Sequence, residues 1–182
     1  MDITNGYTDS VNSIHTLVGG KRGMPLKYIP KRLSKKDKRK QRLMLIKSRK
    51  LYTQQKYYTR KPVKSYKSKP SKHIVKARRI YKLNKITPSK KLADKTGCSV
   101  ASLKAIVKKG QGAYYSSGSR PNQTATSWGI ARLASSVTGG KSAAVDFKIL
   151  DSGCKHTKKA YRLAKKARKK HKYGTRRVAR AV

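Results

Sequence analysis

From Pro88 to Gly110 the chain reads PSKKLADKTGCSVASLKAIVKKG, and this stretch decides the fold class. Ser89 and Ser99 stand where a hydroxyl can accept from the exposed amides of a first helical turn, and Gly97 and Gly110 stand where helices stop. The stretch therefore predicts two helices joined by a short turn, a helix–turn–helix pair. Ala93, Gly97, Leu103 and Ile106 have the spacing that lets two such helices pack closely. In a DNA-binding version the second helix enters the major groove and projects Lys104, Lys108 and Lys109. Its outward positions Val100, Ala101, Ser102 and Lys104 include no Arg, Asn or Gln suited to base edges. We therefore read the pair first as a helical hairpin inside a small core.

Towards the C-terminus, GQGAYYSSGSRPNQT (Gly110 to Thr124) reads as a loop, with a short strand as an option at Ala113 to Ser116. Thr124 or Thr126 then caps an amphipathic helix carrying Trp128, Ala131, Leu133, Ala134 and Val137 on its inner face. Gly139-Gly140 ends it, and Trp128 is expected to anchor the core. Ser142 caps a further helix through Val145, Phe147, Ile149 and Leu150, stopped by Gly153. From Thr157 onward, Ala160, Leu163, Ala164 and Ala167 make a narrow apolar face on a basic amphipathic helix.

Towards the N-terminus, Ser71 caps a short helix with apolar positions Ile74, Ala77, Ile80 and Tyr81. Before it, Tyr57 to Pro70 (YYTRKPVKSYKSKP) reads as an extended basic connector, because two prolines interrupt alternating Lys and Tyr. Ser34 caps another helix with Asp37 in its first turn and a broken stripe of Leu43, Leu45, Ile46, Leu51 and Tyr52. Met1 to Pro30 has no sustained period and reads as an extended arm. The expected fold is mainly α: an extended arm at 1–30, a basic arm with short helices at 31–88, a small helical module at 89–153, and a basic helical tail at 154–182.

Charge dominates the composition. The 182 residues hold 49 Lys plus Arg against six aspartates and no Glu, a net charge of +43. Only four of these cations fall in residues 111–153, so the charge reads as a property of connectors and arms. So many like charges repel one another, and the chain should sit against a polyanion or an acidic protein surface. With almost no carboxylates, acid–base catalysis has little to work with, and neither catalytic nor cofactor-binding residues are assigned. Two cysteines, Cys98 and Cys154, do not make a disulfide scaffold, so buried thiols in a reducing compartment are the default. Cys98, Cys154 and His156 fall short of the four ligands of a structural zinc site, and no metal is expected. There is no apolar run of about 18 residues, so the chain is not expected to be an integral membrane protein. The start at Met1-Asp2 shows no secretory pattern.

Two motifs deserve weighing. SSVTGGKS, Ser135 to Ser142, resembles the end of a phosphate-binding P-loop, but Ser135 stands where the first Gly is needed. A Gly-Gly helix stop is the preferred reading. Six tyrosines (Tyr28, Tyr52, Tyr57, Tyr58, Tyr66 and Tyr81) lie in the basic tract. They suit anchoring across a protein surface, or stacking on exposed bases.

The most unusual stretch is Gly112, Ala113, Tyr114, Tyr115, then Ser117 to Thr124, Ser127-Trp128, Ala131 to Ser135, Gly139-Gly140-Lys141 and Asp146. It resembles a domain of unknown function in small basic proteins of nucleocytoplasmic large DNA viruses, including those infecting algae. The likeness spans about residues 27–165. It implies a virion component, a minor capsid protein on the inner side of the capsid, made inside the host cell. Its implied partners are the major capsid protein and other minor capsid proteins, with viral DNA or inner-membrane headgroups as further contacts. Within the motif, Arg120 beside Asn122 and Gln123 offers fork-like donors for a carboxylate or phosphate. Arg132 is expected to pair with Asp146 or Asp151. The alternative function is a nucleic-acid binder of the DNA-packaging or helix–turn–helix type. A ribosomal-type RNA binder ranks below it.

Overall fold

The computed structural model describes residues 24–172. Most of the arm expected at 1–30, and the last ten residues of the expected tail, lie outside the described residues. The fold is mainly α, with eight helices and no strand among the described residues. They are α1 (Lys35–Thr53), α2 (Lys72–Tyr81), α3 (Lys90–Thr96), α4 (Val100–Ser116), α5 (Ala125–Val137), α6 (Lys141–Val145), α7 (Phe147–Gly153) and α8 (Lys159–His171).

Four of the predicted hydroxyl caps make their bonds, while Ser71 stands at the N-cap of α2 without a side-chain bond. Ser34, Ser89 and Ser99 accept from the amides of Asp37, Leu92 and Ser102, and Thr124 forms a reciprocal capping box with Ser127. Gly97 ends α3 in the left-handed conformation, φ +73°, which favours glycine. Gly110, in contrast, does not stop a helix. α4 runs through it to Ser116, replacing the loop or short strand expected there. The reason is packing. A Cβ at Gly110 would come within 2.7 Å of the Gly129 Cα on α5, and one at Gly129 within 2.8 Å of the Val107 carbonyl. The two glycines let the α4 and α5 backbones cross in near contact. This is the most extensive helix–helix contact among the described residues.

Around that crossing lies the main core. Leu92, Leu103, Ile106, Leu133, Ala134, Val137 and Leu150 are buried in it, joined by Ala77 and Tyr81 from α2. Ala160, Tyr161, Ala164 and Ala167 of α8 belong to the same cluster. The segment expected as a basic tail is thus packed into the core from 159 to 171. Its alanines allow close approach to α6 and α7, and the Gly139 turn touches Leu163. Gly140, not Ser142, stands at the N-cap of α6, and Asp146 divides α6 from α7 where one helix was expected.

Residues 24–70 fold back on this module through two smaller clusters. One holds Met24, Tyr28, Ile29 and Leu45, with Trp128 packed against it; the other holds Leu33, Met44, Val63 and Tyr66. Trp128 is therefore not the anchor of the main core. It is half-buried, edge-on to Tyr28 at 6.1 Å, and ties the N-terminal segment to α5. On α1 the buried face is Asp37, Gln41, Met44, Leu45 and Ser48, while Leu43 of the expected stripe is exposed.

The cysteines correct another expectation. Cys98 and Cys154 are buried and joined by a disulfide, not held as thiols. They face each other across an antiparallel pair in which Ser99 N donates to Gly153 O and Lys155 N to Gly97 O, both at 2.8 Å. The link pins the α3–α4 turn to the segment leading into α8.

Candidate functional site

The unusual motif of the sequence forms a clamp. Arg60, from the connector, is buried with its guanidinium 3.6 Å from the centre of the Tyr114 ring. Its Nη1 donates to Ser48 Oγ and to the Tyr114 carbonyl, both at 3.0 Å, and its Nη2 to Ser119 Oγ at 2.8 Å. The Arg60 amide donates to the Tyr114 hydroxyl at 3.1 Å. No carboxylate is among these partners, so neutral acceptors and the ring face stabilise the cation. Asn122, held at φ +57°, accepts from Val63 N at 2.8 Å and donates to the carbonyls of Val63 (3.1 Å) and Tyr66 (2.8 Å). On the other side of the connector, Asp37 accepts from the Ser65 amide at 2.7 Å and hydroxyl at 2.6 Å. These two bonds hold the Asp37 carboxyl below its usual pKa.

The residues read together as a donor fork are thus divided. Asn122 fastens the connector, Gln123 accepts from Ser127 Oγ at 2.9 Å, and Arg120 is exposed. The basic tract's tyrosines are also largely used inside. Tyr28, Tyr66 and Tyr81 are buried, and Tyr57 is 69 % exposed, against Tyr52 and Tyr115. Arg60 and Gln41, which bridges to the carbonyls of Tyr28 and Ser119, went unnoticed in the sequence. No spacing rule marks one Arg among 49 cations as the buried one.

A second polar node lies in the module. Arg132 grips the fully buried Asp146 with both ends of its fork, Nε to Oδ2 at 2.8 Å and Nη2 to Oδ1 at 2.7 Å. Ser136 Oγ donates to Oδ2 at 2.9 Å, and Lys109 Nζ lies 3.2 Å from Oδ1. Lys109 is thus partly exposed, but its ammonium is engaged by Asp146. Lys104 and Lys108 are exposed on α4, beside shallow grooves of about 420 and 570 Å³. α5, α1, α7 and α3 pack on α4, and its outward strip carries Ala101, Lys104, Ala105 and Lys108.

Arg120 and Lys141, far apart in sequence, come to one side. Burial, with the charges of Arg120 and Lys141, lowers the pKa of Lys27; burial, with Lys76 and Arg120, lowers that of His73. Gly140 is packed so tightly that a Cβ there would meet Ser135 Oγ at 2.4 Å and the His73 ring at 3.1 Å. The Gly-Lys-Ser run is therefore a tight helix junction following α5, with no strand leading into it as a P-loop requires.

Residues 25–152 match a family described as a family of unknown function, DUF5824. The chain belongs to the DUF5824 family. No curated protein and no solved structure matches it. The span matched to DUF5824 contains the whole Arg60–Asn122 clamp and the Arg132–Asp146 node, and stops before Cys154 and α8.

What the body presents outward is cationic. Of the 49 lysines and arginines, 44 fall in residues 24–172 with four aspartates, and two of those aspartates, Asp37 and Asp146, are buried and bonded. Among the described residues no group of three or more His, Cys, Asp or Glu is placed to hold a metal ion, and no helix is long and apolar enough to cross a membrane.

Proposed function

We propose that this protein is structural and not an enzyme, and that it works by lying against a polyanionic surface. The carrying observation is the charge placement: residues 24–172 hold 44 cations against four aspartates, and two of the four, Asp37 and Asp146, are turned inward. Such a surface gains counterion-release and Coulomb energy from an extended anionic partner. The resemblance to a domain of unknown function in small basic proteins of large DNA viruses supports a setting for that role, an internal minor capsid protein beneath the viral shell. There its cations would meet acidic faces of capsid subunits, inner-membrane headgroups or the genome. A second reading, a nucleic-acid binder of the packaging type, is favoured by the same charge. The helix–turn–helix version is disfavoured, because Lys109 is tied to Asp146 and the exposed positions Ala101, Lys104, Ala105 and Lys108 of α4 offer no Arg, Asn or Gln to base edges.

Staged dismantling of purified virions separates the two. After salt extraction of the DNA, a minor capsid protein remains with the shell. Co-release with the genome, or absence from the particle, would overturn the capsid setting.

A further inference from the structure

Helix α8 is basic and amphipathic, a pattern that by itself also suits adsorption to a membrane surface. The fold removes that option. Its apolar side is used in the core: Ala160 and Ala164 are fully buried, Ala167 is 4 % exposed and Tyr161 9 % exposed. What remains outward is a continuous cationic face of Lys159, Arg162, Lys165, Lys166, Lys169 and Lys170. Lys165 and Lys169 form a ridge between two clefts of about 660 and 430 Å³. Phe147 lines one cleft, with the Arg168 guanidinium 4.5 Å from its ring centre; Tyr161 lines the other, with His156 stacked on it at 3.9 Å.

We propose that this face of α8 binds the phosphate backbone of duplex DNA, without reading its sequence. Three features favour that occupant. Lysine is depleted from protein–protein interfaces, whereas protein–DNA interfaces are strongly positive. Both aromatic rings are covered by Arg168 and His156, so they are not open platforms for the unpaired bases of a single strand. The cations recur at each turn of a rigid helix, about every 5.4 Å, facing a partner that carries one charge per about 1.7 Å of its axis. The inference rests on the polyanion part of the reading above and not on its capsid setting.

The test compares three full-length proteins on a 30-base-pair duplex of arbitrary sequence, by fluorescence anisotropy over a salt series: wild type, K165Q/K166Q/K169Q/K170Q, and K35Q/K36Q/R39Q/K50Q on exposed positions of α1. Each lost phosphate contact lowers the slope of log affinity against log salt by about 0.9. The α8 variant should lose about 3.6 in slope and the α1 variant less than 1. Thermal melting checks that each variant folds. If the fourfold α8 variant does not, K166Q alone must still lower the slope by about 0.9. Equal losses in the α1 and α8 variants would overturn α8 as the contact. Wild type that binds polyglutamate or phosphatidylserine vesicles but not the duplex would overturn DNA as the partner while leaving a charge-driven role. Failure to bind any of the three would overturn the polyanion reading itself.

Discussion

Residues 24–70 and the module from α2 to α8 are held by different physics. The module has one large apolar core, built across a glycine crossing, with one buried ion pair inside it. The N-terminal segment has two clusters of four buried apolar residues each, and it leans further on hydrogen bonds through Arg60, Asn122, Asp37 and Gln41 and on Tyr52 stacked with Tyr115. Apolar burial is distributed and tolerant, whereas a buried polar contact depends on each partner being present. The segment should therefore open as a sub-global unit before the module does.

That comparison can be broken from either side. The largest effect is expected in the module from Asp146→Ala, which leaves Arg132 and the Lys109 ammonium uncompensated beside an empty site. A loss of about 3–5 kcal/mol is expected in denaturant unfolding, and it should be global. Next is the disulfide, which spans 56 residues of sequence. Reduction, or Cys98→Ser with Cys154→Ser, should cost about 2–4 kcal/mol and loosen the junction of α3 with α8, without detaching α1. Arg60→Met is expected to cost about 2–3 kcal/mol by orphaning buried partners, with faster amide exchange confined to α1 and the connector. A comparable slowing of refolding or loss of protection in α5 would show that the two regions are one cooperative unit.

The smallest effect is acid-dependent. The Asp37 carboxyl is held below its ordinary value of 3.8 by Ser65. A depressed acid contributes stability that is fully present above the unfolded value and is lost as pH falls through the folded one. The connector's exchange protection should therefore hold at pH 5 and weaken progressively below about 3.8. In Asp37→Asn this acid step should disappear.

The same contrast explains what could be read beforehand. The capping hydroxyls and the apolar face of α5 follow local rules, so the mainly helical fold and most helix starts were legible. Gly110 was not, because a glycine that stops a helix and one that lets two helices touch look alike in sequence; only Gly129 opposite distinguishes them. The α1 face was legible only in part: Leu45 of the stripe is buried and Ile46 packs beside it, but the inward Asp37, Gln41 and Ser48 carry no hydrophobic period. Cys98 and Cys154 lie too far apart in sequence for spacing to suggest a bond. The motif from Tyr114 to Gln123 was visible as unusual, yet its role depends on Arg60, and nothing local marks that residue.

These misses share a consequence. Charge assigned to arms belongs instead to a folded surface, since residues 31–70 and 159–171 pack onto the module. Hydrogen exchange of the free, full-length protein, followed by mass spectrometry with no partner present, tests this most directly. The account predicts slow exchange across α1 and α8 and measurable protection from Arg60 to Tyr66. Exchange at unfolded-chain rates throughout 31–70 and 159–171, with protection confined to 89–153, would contradict it.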